Sequence, residues 1–283
     1  MALDLDPPPS VAKLWDWKWI EWLNRLYEYV KANMTTNFAL EVAKGNIAGH
    51  ASVQKFGRNQ DIASGAQEDI WDGGATWVAP TQARIHQIVS TSTSDDGAPV
   101  GVGARTIQVY GLTSWATKEV SEVIIMNGTT NVPTTNSYVI IHRMKVLTKG
   151  ASDVNVGVIT ATADTDGTVT ARMEIGFGQS QMAIYGVPSI QKAYVFRFYS
   201  NVLKAAGTVE VDNLLLVNPE PDVELLNFII KHTFANSNVS MNTQIHLALP
   251  KVFAGPCIIK MAAIPDANST DVGGGFDAYI VDN

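Results

Sequence analysis

Cysteine is almost absent from this chain of 283 residues, since Cys257 is the only one. A single cysteine cannot form an intramolecular disulfide, and it excludes a zinc site built from several cysteines. No apolar run approaches the ~18 residues of a membrane-spanning helix. The first residues also lack the basic segment and apolar core of a signal peptide. We therefore expect a protein that is made and folded in a cytoplasm and has no membrane partner.

Charged residues are also scarce, at 17% of the chain, against about 25% in an average soluble domain. The chain has 20 basic and 27 acidic residues, which gives a net charge of −7. Without an excess of Lys and Arg it lacks the main driving force for binding a phosphate backbone, so no direct nucleic-acid contact is expected. A neutral polar surface of this kind suits a protein that packs against other proteins.

The patterns that usually mark catalytic or metal sites are missing as well. The histidines show neither HxH nor i,i+4 spacing, and a metal site would need them to converge through folding alone: His50, His86, His142, His232 and His246. The segment from Gly176 to Gln181 lacks the Lys-Ser/Thr of a phosphate loop, and no G-x-S-x-G elbow is present. A pair of glycosidase carboxylates could meet only in three dimensions. We predict no catalytic residue, metal or cofactor, and a protein that is not an enzyme.

What is present begins with an aromatic N-terminal helix. Apolar residues recur with 3.6-residue spacing from Ser10, the predicted N-cap, to about Asn33. Trp and Tyr are favoured anchors at interfaces, so four residues of the apolar face are candidates for docking onto a partner: Trp15, Trp19, Trp22 and Leu26. Packing of this face within its own domain is the first interpretation, ahead of docking. A helix on a membrane surface is the third, because the polar face carries charges of both signs. A second short helix is predicted from Thr36 to Lys44, with Gly45 ending it.

Residues 55–80 have neither helical nor strand periodicity, and we interpret them as a structured connector. The residues expected to pack it onto a surface are Phe56, Ile62, Ile70, Trp71 and Trp77. The acidic residues of this stretch are expected to cap backbone N–H groups rather than transfer protons: Asp61, Glu68, Asp69 and Asp72. The residues predicted to hold the connector together are Phe56, Arg58, Asn59, Asp61, Trp71 and Asp72.

From Arg84 onward the apolar period changes to two, which predicts short strands separated by turns. Asp95-Asp96-Gly97 is a turn signal, Asn127-Gly128 is a strong hairpin signal, and Asp164–Gly167 is a predicted hairpin loop. The predicted strands are Arg84–Ser90, Arg105–Tyr110, Glu119–Met126, Ser137–Leu147, Val156–Ala163, Thr168–Ile175, Gln179–Val187, Lys192–Ser200, Val209–Val217, Leu226–Phe234, Thr243–Leu249, Cys257–Ala263 and Phe276–Val281. The fold class is therefore mainly β, a helical arm followed by antiparallel sandwich or jelly-roll-like regions.

This pattern suggests three parts. Residues 1–54 form the N-terminal arm, residues 55–150 the connector with a first β region, and residues 151–283 a second β-sandwich region.

The string Lys55-Phe56-Gly57-Arg58-Asn59, followed by Asp61-Ile62, Gly65 and Glu68–Gly74, resembles the opening of a family of tailed-bacteriophage virion structural proteins common in marine phage genomes. Similar segments follow in order at Gly103–Thr106, Gly111-Leu112, Asn127–Thr130, Arg143-Met144, Gly178–Pro188 and Gly275–Asp282. The likeness covers about residues 55–283. Where members carry an Arg-Pro-Gly-Gly-like segment, this chain has Asn218–Asp222.

The resemblance implies a non-enzymatic component of a phage particle. The expected role is a capsid decoration or cement protein that binds the lattice of the major capsid protein, or other virion proteins, and stabilises the head. Repeated surface patches are satisfied when a symmetric ring closes, so we expect a homo-oligomer and favour a trimer. The alternative is a tail, baseplate or fibre component that contacts a host receptor or glycan through aromatics such as Trp115 or Tyr110. If the arm attaches the protein, removing residues 1–50 should leave a soluble β region that cannot join particles.

Overall fold

The computed structural model describes residues 17–34, 38–204, 207–239 and 243–283. Residues Met1–Ser52 and Val53–Asn283 form two compact units. In the first unit, helix α1 spans Trp17–Met34 and helix α2 spans Phe38–Ala43. Gly45 follows α2 at a φ of 75°, the left-handed conformation that ends helices. Ser10 and Trp15 lie outside the described residues.

The strands lie in four antiparallel sheets. Their bounds are β1 His50–Ile62, β2 Glu68–Asp69, β3 His86–Ser90, β4 Ala104–Leu112, β5 Val120–Ile125, β6 Val132–Pro133, β7 Ile140–Lys149, β8 Ile159–Ala163, β9 Val169–Met173, β10 Ile184–Val187, β11 Gln191–Leu203, β12 Glu210–Asn218, β13 Ile229–Ser237, β14 Thr243–Ala254, β15 Cys257–Pro265 and β16 Thr270–Asp282. Every predicted strand overlaps an observed one, and the mainly β fold is confirmed.

The terminal sandwich consists of β1, β2 and β10–β16. One sheet has the strand order β1-β16-β11-β14, and the other has the order β10-β15-β12-β13 with β2 paired to β15. Apolar side chains of both sheets form one core. Phe198 and Phe276 are the largest side chains fully buried in it.

The inserted sandwich consists of β3–β9 and lies in sequence between β2 and β10. Its sheets have the orders β6-β3-β8-β9 and β5-β4-β7. A second core fills the space between them and reaches residues of β10 and β15, namely Ile184 and Ile258. Since β8 pairs with β3 along its length, the hydrogen-bonded sheets cross the predicted boundary at residue 150.

Strand β15 explains how the two sandwiches share a layer. All but one of its nine residues are buried, so both faces of the strand are covered. Cys257, Ile259 and Met261 lie in the core of the terminal sandwich. Ile258, from the opposite face, lies in the core of the inserted sandwich. A strand covered on both sides has a nearly continuous apolar sequence.

Two expectations about local structure were wrong. The connector was predicted to lack strand structure, but residues up to Ile62 form β1, thirteen residues long. Its buried positions are Lys55, Gly57, Asn59 and Ile62, so three of the four carry no apolar side chain and the usual apolar alternation is missing. Asn127-Gly128 does form a turn, with Gly128 at a φ of 55°. The neighbouring strands β5 and β6 nevertheless belong to different sheets, so the turn is not a hairpin.

The predicted hairpin at Asp164–Gly167 is confirmed. It joins the paired strands β8 and β9, with Thr165 and Gly167 at positive φ.

Candidate functional site

The segment after β1 is held together by carboxylates that accept backbone N–H groups, as the sequence predicted for Glu68, Asp69 and Asp72. Glu68 Oε2 accepts the N–H of Ala75 at 2.8 Å, and Asp69 Oδ2 accepts the N–H of Trp77 at 2.6 Å. Asp72 Oδ2 accepts the N–H of Gln181 at 3.0 Å.

Asp61 differs from these residues. It adopts a φ of 62°, and its own N–H donates to Asp271 Oδ1 at 3.0 Å.

Asp69 also forms a fully buried ion pair. Lys260 Nζ lies 2.7 Å from Asp69 Oδ2 and 3.9 Å from the centre of the Phe228 ring. Burial raises the pKa of Asp69, and the Lys260 charge opposes that shift. Breaking such a pair leaves an uncompensated buried charge, so the pair fixes β2 on β15.

Three of the predicted connector residues, Arg58, Asn59 and Asp72, line a small polar space, and Trp71 packs nearby in the same segment. Arg58 Nε donates to Asp72 Oδ1 at 3.2 Å, and Asn59 Nδ2 donates to the carbonyl of Asp69 at 2.9 Å. Trp71 is buried and its Nε1 donates to the carbonyl of Ala75 at 3.3 Å. Phe56 is half-buried on the opposite side of β1 from Asn59.

Together with residues of the inserted sandwich, this part of the connector encloses a space of about 230 Å³, which we call the polar cavity. Its wall includes Arg58, Asn59, Asp72, Gly74, Arg172 and Glu174. Arg172 Nε donates to Glu174 Oε1 at 2.6 Å. The sequence alone does not reveal this cavity. Arg172 on β9 and Glu174 directly after β9 lie about a hundred residues beyond the connector, and they meet it only in the folded chain.

Asp72 and Glu174 are two carboxylates on one cavity, the arrangement that glycoside hydrolysis requires. Burial raises the pKa of Asp72, while the Gln181 N–H and Arg58 oppose the shift. However, the Asp72 side chain is 0% exposed and its two oxygens accept from Arg58 and Gln181. Asp72 therefore positions Arg58 and the loop, and no hydrolytic step is derived from the pair.

A second polar group lies where β1 meets β7. Lys55 is buried, and its Nζ donates to the carbonyl of His142. The His142 ring bonds Glu119 through Nε2 and stacks on Tyr185, with the ring centres 4.6 Å apart. Burial lowers the pKa of Lys55 well below its usual value, and Arg143 adds to the effect. Burial also lowers the pKa of His142. At neutral pH a neutral His142 thus donates from Nε2 to Glu119.

Asp95 is a functional anchor of the inserted sandwich that sequence reasoning treated only as a turn residue. The residue is fully buried, and its Oδ1 accepts the N–H groups of Ala104 at 2.8 Å and Val156 at 2.9 Å. Its Oδ2 accepts the N–H of Gly157 at 2.8 Å and the hydroxyl of Ser90 at 2.6 Å. One carboxylate thus joins three separate segments. The turn signal Asp95-Asp96-Gly97 was the only trace of it in the sequence.

The predicted docking residues of the N-terminal helix are partly placed. Trp19, Trp22 and Leu26 are half-buried. The Trp19 and Trp22 rings meet edge to face, with their centres 5.8 Å apart. Ile20 and Tyr27 on the same helix are exposed. Their role in docking stays a prediction.

The aromatics proposed for glycan contact differ from each other. Trp115 is half-buried and lines a groove of about 320 Å³ together with Gln82, Asp222 and Leu225. Tyr110 lies on β4, where its hydroxyl donates to Gln108 Oε1 at 2.6 Å. Only Trp115 therefore lies in a groove with further polar side chains.

The least buried strands of the terminal sandwich are β13 and β14, the end strands of its two sheets. Asn236 is the only buried residue of β13, and β14 as described has none. The exposed apolar residues of this surface, which we call the open edge, are Leu226, Ile229, Ile230, Leu249 and Val252. Leu249 is 84% exposed. Large apolar residues exposed on end strands are typical of interaction sites.

In residues 17–34, 38–204, 207–239 and 243–283, no group of three His, Cys, Asp or Glu side chains is placed to hold a metal ion. No helix in the same ranges is long and apolar enough to cross a membrane. Cys257 is buried, and burial raises the pKa of its thiol to about 12, so the thiolate nucleophile is not available.

No protein-family model matches the chain, and no curated protein is similar to it. The resemblance of residues 55–283 to phage virion proteins therefore stays a prediction from the sequence.

Proposed function

We propose that the chain is a structural subunit of a phage particle, a decoration protein that binds the lattice of the major capsid protein and stabilises the head. The observation that carries this proposal is the open edge. Strands β13 and β14 end their sheets with almost no buried residue. Unpaired strand edges pair readily with other chains. A particle subunit needs such a surface, whereas a free monomer is penalised for it.

The charges on the open edge indicate the kind of partner. The charged residues of β13 and β14 are Lys231 and Lys251, both basic, on a chain whose net charge is −7. His232 lies beside them: burial lowers its pKa, and the charge of Lys251 lowers it further. Complementary charges favour correct docking. The matching surface of the capsid lattice should therefore be apolar with acidic groups at its rim.

Self-association is part of the same proposal. Decoration subunits occupy repeated positions, and a cyclic oligomer satisfies the same patch on every copy. We propose a trimer on the lattice, with no nucleic acid or cofactor in the contact.

Quantitative mass spectrometry of purified particles tests this function. The proposal expects the protein at high copy number, in a fixed ratio to the major capsid protein, and expects it to be released when heads are dissociated. Its absence from purified particles would contradict a structural role.

A tail, baseplate or fibre component is the second candidate, and the Trp115 groove is the observation that favours it. An aromatic ring beside Gln82 and Asp222 offers both a stacking face and hydrogen-bonding groups. This role expects a few copies per particle and binding to a glycan array that a Trp115→Ala variant loses. High copy number together with no glycan signal decides against it.

A further inference from the structure

The buried pair of Lys260 and Asp69 holds the two groups of an amide bond in contact. Lys260 Nζ lies 2.7 Å from Asp69 Oδ2, and each side chain is only 2% exposed. An amine that is hydrogen-bonded to one carboxyl oxygen lies about 3.5 Å from the carboxyl carbon, which is the separation of reacting atoms in a near-attack geometry. Burial also keeps away the water that would hydrolyse a product.

The surroundings of Lys260 suit an amide nitrogen better than an ammonium group. Among the described residues, Asp69 is the hydrogen-bond acceptor of Nζ, and the centre of the Phe228 ring lies 3.9 Å from it. An ammonium group has three donors, so one carboxylate oxygen and one ring leave a buried donor unpaired, which is costly. An amide nitrogen keeps a single N–H. Forming the amide therefore removes both the buried charges and the excess donors.

Asp69 is held with its carboxyl group oriented towards the amine. Its N–H donates to the carbonyl of Ala75 at 3.1 Å, and its carbonyl accepts Asn59 Nδ2 at 2.9 Å. It also pairs with Ala262 on β15. Oδ2 accepts the N–H of Trp77 at 2.6 Å. A backbone N–H at this oxygen stabilises the negative charge that develops there when an amine adds to the carboxyl carbon.

We propose that Lys260 and Asp69 become joined by an amide bond between their side chains, which links β15 covalently to β2. A proton passes from Nζ to the carboxyl group, which carries it on Oδ1. The Nζ lone pair then forms a bond to Cγ, and the negative charge falls on Oδ2, beside the N–H of Trp77. The Cγ–Oδ1 bond breaks, and Oδ1 leaves as water with its own proton and a second one from Nζ. The reaction needs no oxidant, reductant or other reactant.

The electrostatics of the site favour the first of these steps. Burial raises the pKa of Asp69, which favours a protonated carboxyl group. Proton transfer inside the pair also yields two neutral groups, and neutral groups lose much less free energy on burial than charged ones.

A second lysine and aspartate show what burial adds. Lys118 Nζ also lies 2.7 Å from Asp282 Oδ2, but these side chains are 58% and 35% exposed. Water stabilises both charges there, and an ammonium group has no lone pair for attack. This pair should therefore remain an ion pair. The proposal goes beyond the particle role and does not depend on it.

Mass spectrometry of the intact full chain under denaturing conditions tests the proposal. The wild-type protein should be lighter than its sequence by one water, about 18 Da. Lys260→Met should have the full mass of its sequence, because methionine supplies no amine. The matched control is Lys118→Met, which should show the same deficit as the wild type.

A tryptic digest locates the bond, because trypsin does not cleave after a lysine whose amine is part of an amide. The wild type should give one branched peptide that joins residues 59–84 to residues 252–283. If Lys260→Met fails to accumulate, the wild-type mass and this peptide still decide. The full sequence mass in the wild type, or a deficit without the branched peptide, would overturn the proposal and leave the particle role untouched.

Discussion

The two sandwiches of this protein differ in how far their polar groups and end strands are satisfied within the chain. The inserted sandwich uses buried or half-buried carboxylates to hold its loops on its sheets. The terminal sandwich has the larger sheets, but it leaves its last two strands almost unburied. A region whose groups are satisfied internally does not need a partner, whereas exposed apolar strands gain free energy when a partner covers them. We therefore propose that the inserted sandwich supports the fold and that the terminal sandwich contacts a partner.

Three acidic side chains illustrate the internal satisfaction of the inserted sandwich. Asp95 accepts hydrogen bonds from three segments. Asp166 accepts the N–H of Thr81 at 2.8 Å and pairs with Arg84. Glu122 accepts the N–H of Thr135 and the hydroxyl of Tyr138, each at 2.8 Å. Within the described residues, the open edge has no carboxylate on β13 or β14.

Replacing Asp95 should break the inserted sandwich most severely. Asp95→Ala leaves three N–H groups without this acceptor, two of them on buried residues, which should lower the free energy of unfolding by roughly 3–6 kcal/mol. Its neighbour Asp96 provides the control, because its Oδ1 accepts a single local N–H, that of Ala98 at 2.8 Å. Urea unfolding of both variants measures the difference. Equal losses would show that Asp95 does not join the segments.

A substitution at Trp71 tests how the connector packs on the core of the inserted sandwich. It is buried, and Gly73 lies so close to its ring that a Cβ there would collide with it. Trp71→Ala should lower the free energy of unfolding by about 3–5 kcal/mol, the usual result of emptying an aromatic site. Trp115→Ala, at a half-buried position, should have a smaller effect in the same thermal or urea unfolding experiment. If the Trp71 variant keeps its stability, the connector does not depend on that ring.

Acid should weaken the inserted sandwich through His86. Burial lowers the pKa of His86 to about 4, against the opposing effects of the Arg84 carbonyl, Asp164 and Asp166. In the unfolded chain His86 binds a proton near pH 6.5, whereas in the folded chain it binds one only near pH 4. The free energy of unfolding therefore decreases as pH falls from about 6.5 to about 4. A shift of this size corresponds to about 3 kcal/mol.

His86→Phe should remove that part of the acid dependence. Phenylalanine keeps an aromatic ring beside Tyr138, whose ring centre lies 6.1 Å from that of His86. Unfolding free energies measured from pH 4 to pH 7 should therefore have a flatter slope in the variant. Identical slopes would refute a neutral buried His86.

Lys55 tests the junction between the two sandwiches. Its lowered pKa means that the unfolded chain binds a proton near pH 10.5 that the folded chain does not, so stability from this group falls as pH decreases below about 10.5. Lys55→Met removes the free-energy cost of burying an amine that is protonated in the unfolded chain. The variant also loses one hydrogen bond to the His142 carbonyl. We expect a higher melting temperature at neutral pH and a weaker alkaline dependence by calorimetry. A lower melting temperature would mean that the hydrogen bond dominates.

Much of the fold was predictable because exposed and buried positions alternate in most strands. The segment Ile159–Ala163, for example, alternates buried and half-buried residues, and the Asp164–Gly167 turn after it has the residues of a tight loop. Strand β1 was not predictable, since its inward positions are Lys55, Gly57 and Asn59 and only the fold shows what surrounds them.

The candidate site was half predictable. Residue types alone indicated that Arg58, Asn59 and Asp72 organise the connector and that its acids cap N–H groups. The role of Arg172 depends on how β9 packs beside the connector, which no local pattern encodes. The open edge was also invisible, because the sequence of β14 alternates like that of a covered strand, and its exposure follows from its place at the end of a sheet.

The central claim is that the open edge binds the particle. It can be tested by comparing the same substitution at two valines of equal exposure. Val252 on β14 and Val123 on β5 are each 51% exposed, and both lie on end strands, one in each sandwich. Substitution by Asp at either position should change stability by only about 1 kcal/mol or less. Purified variants are added to capsids that lack the protein, and bound copies are counted by quantitative mass spectrometry. The account predicts that Val252→Asp loses most of its occupancy while Val123→Asp keeps the wild-type value; equal occupancy of the two variants would contradict it.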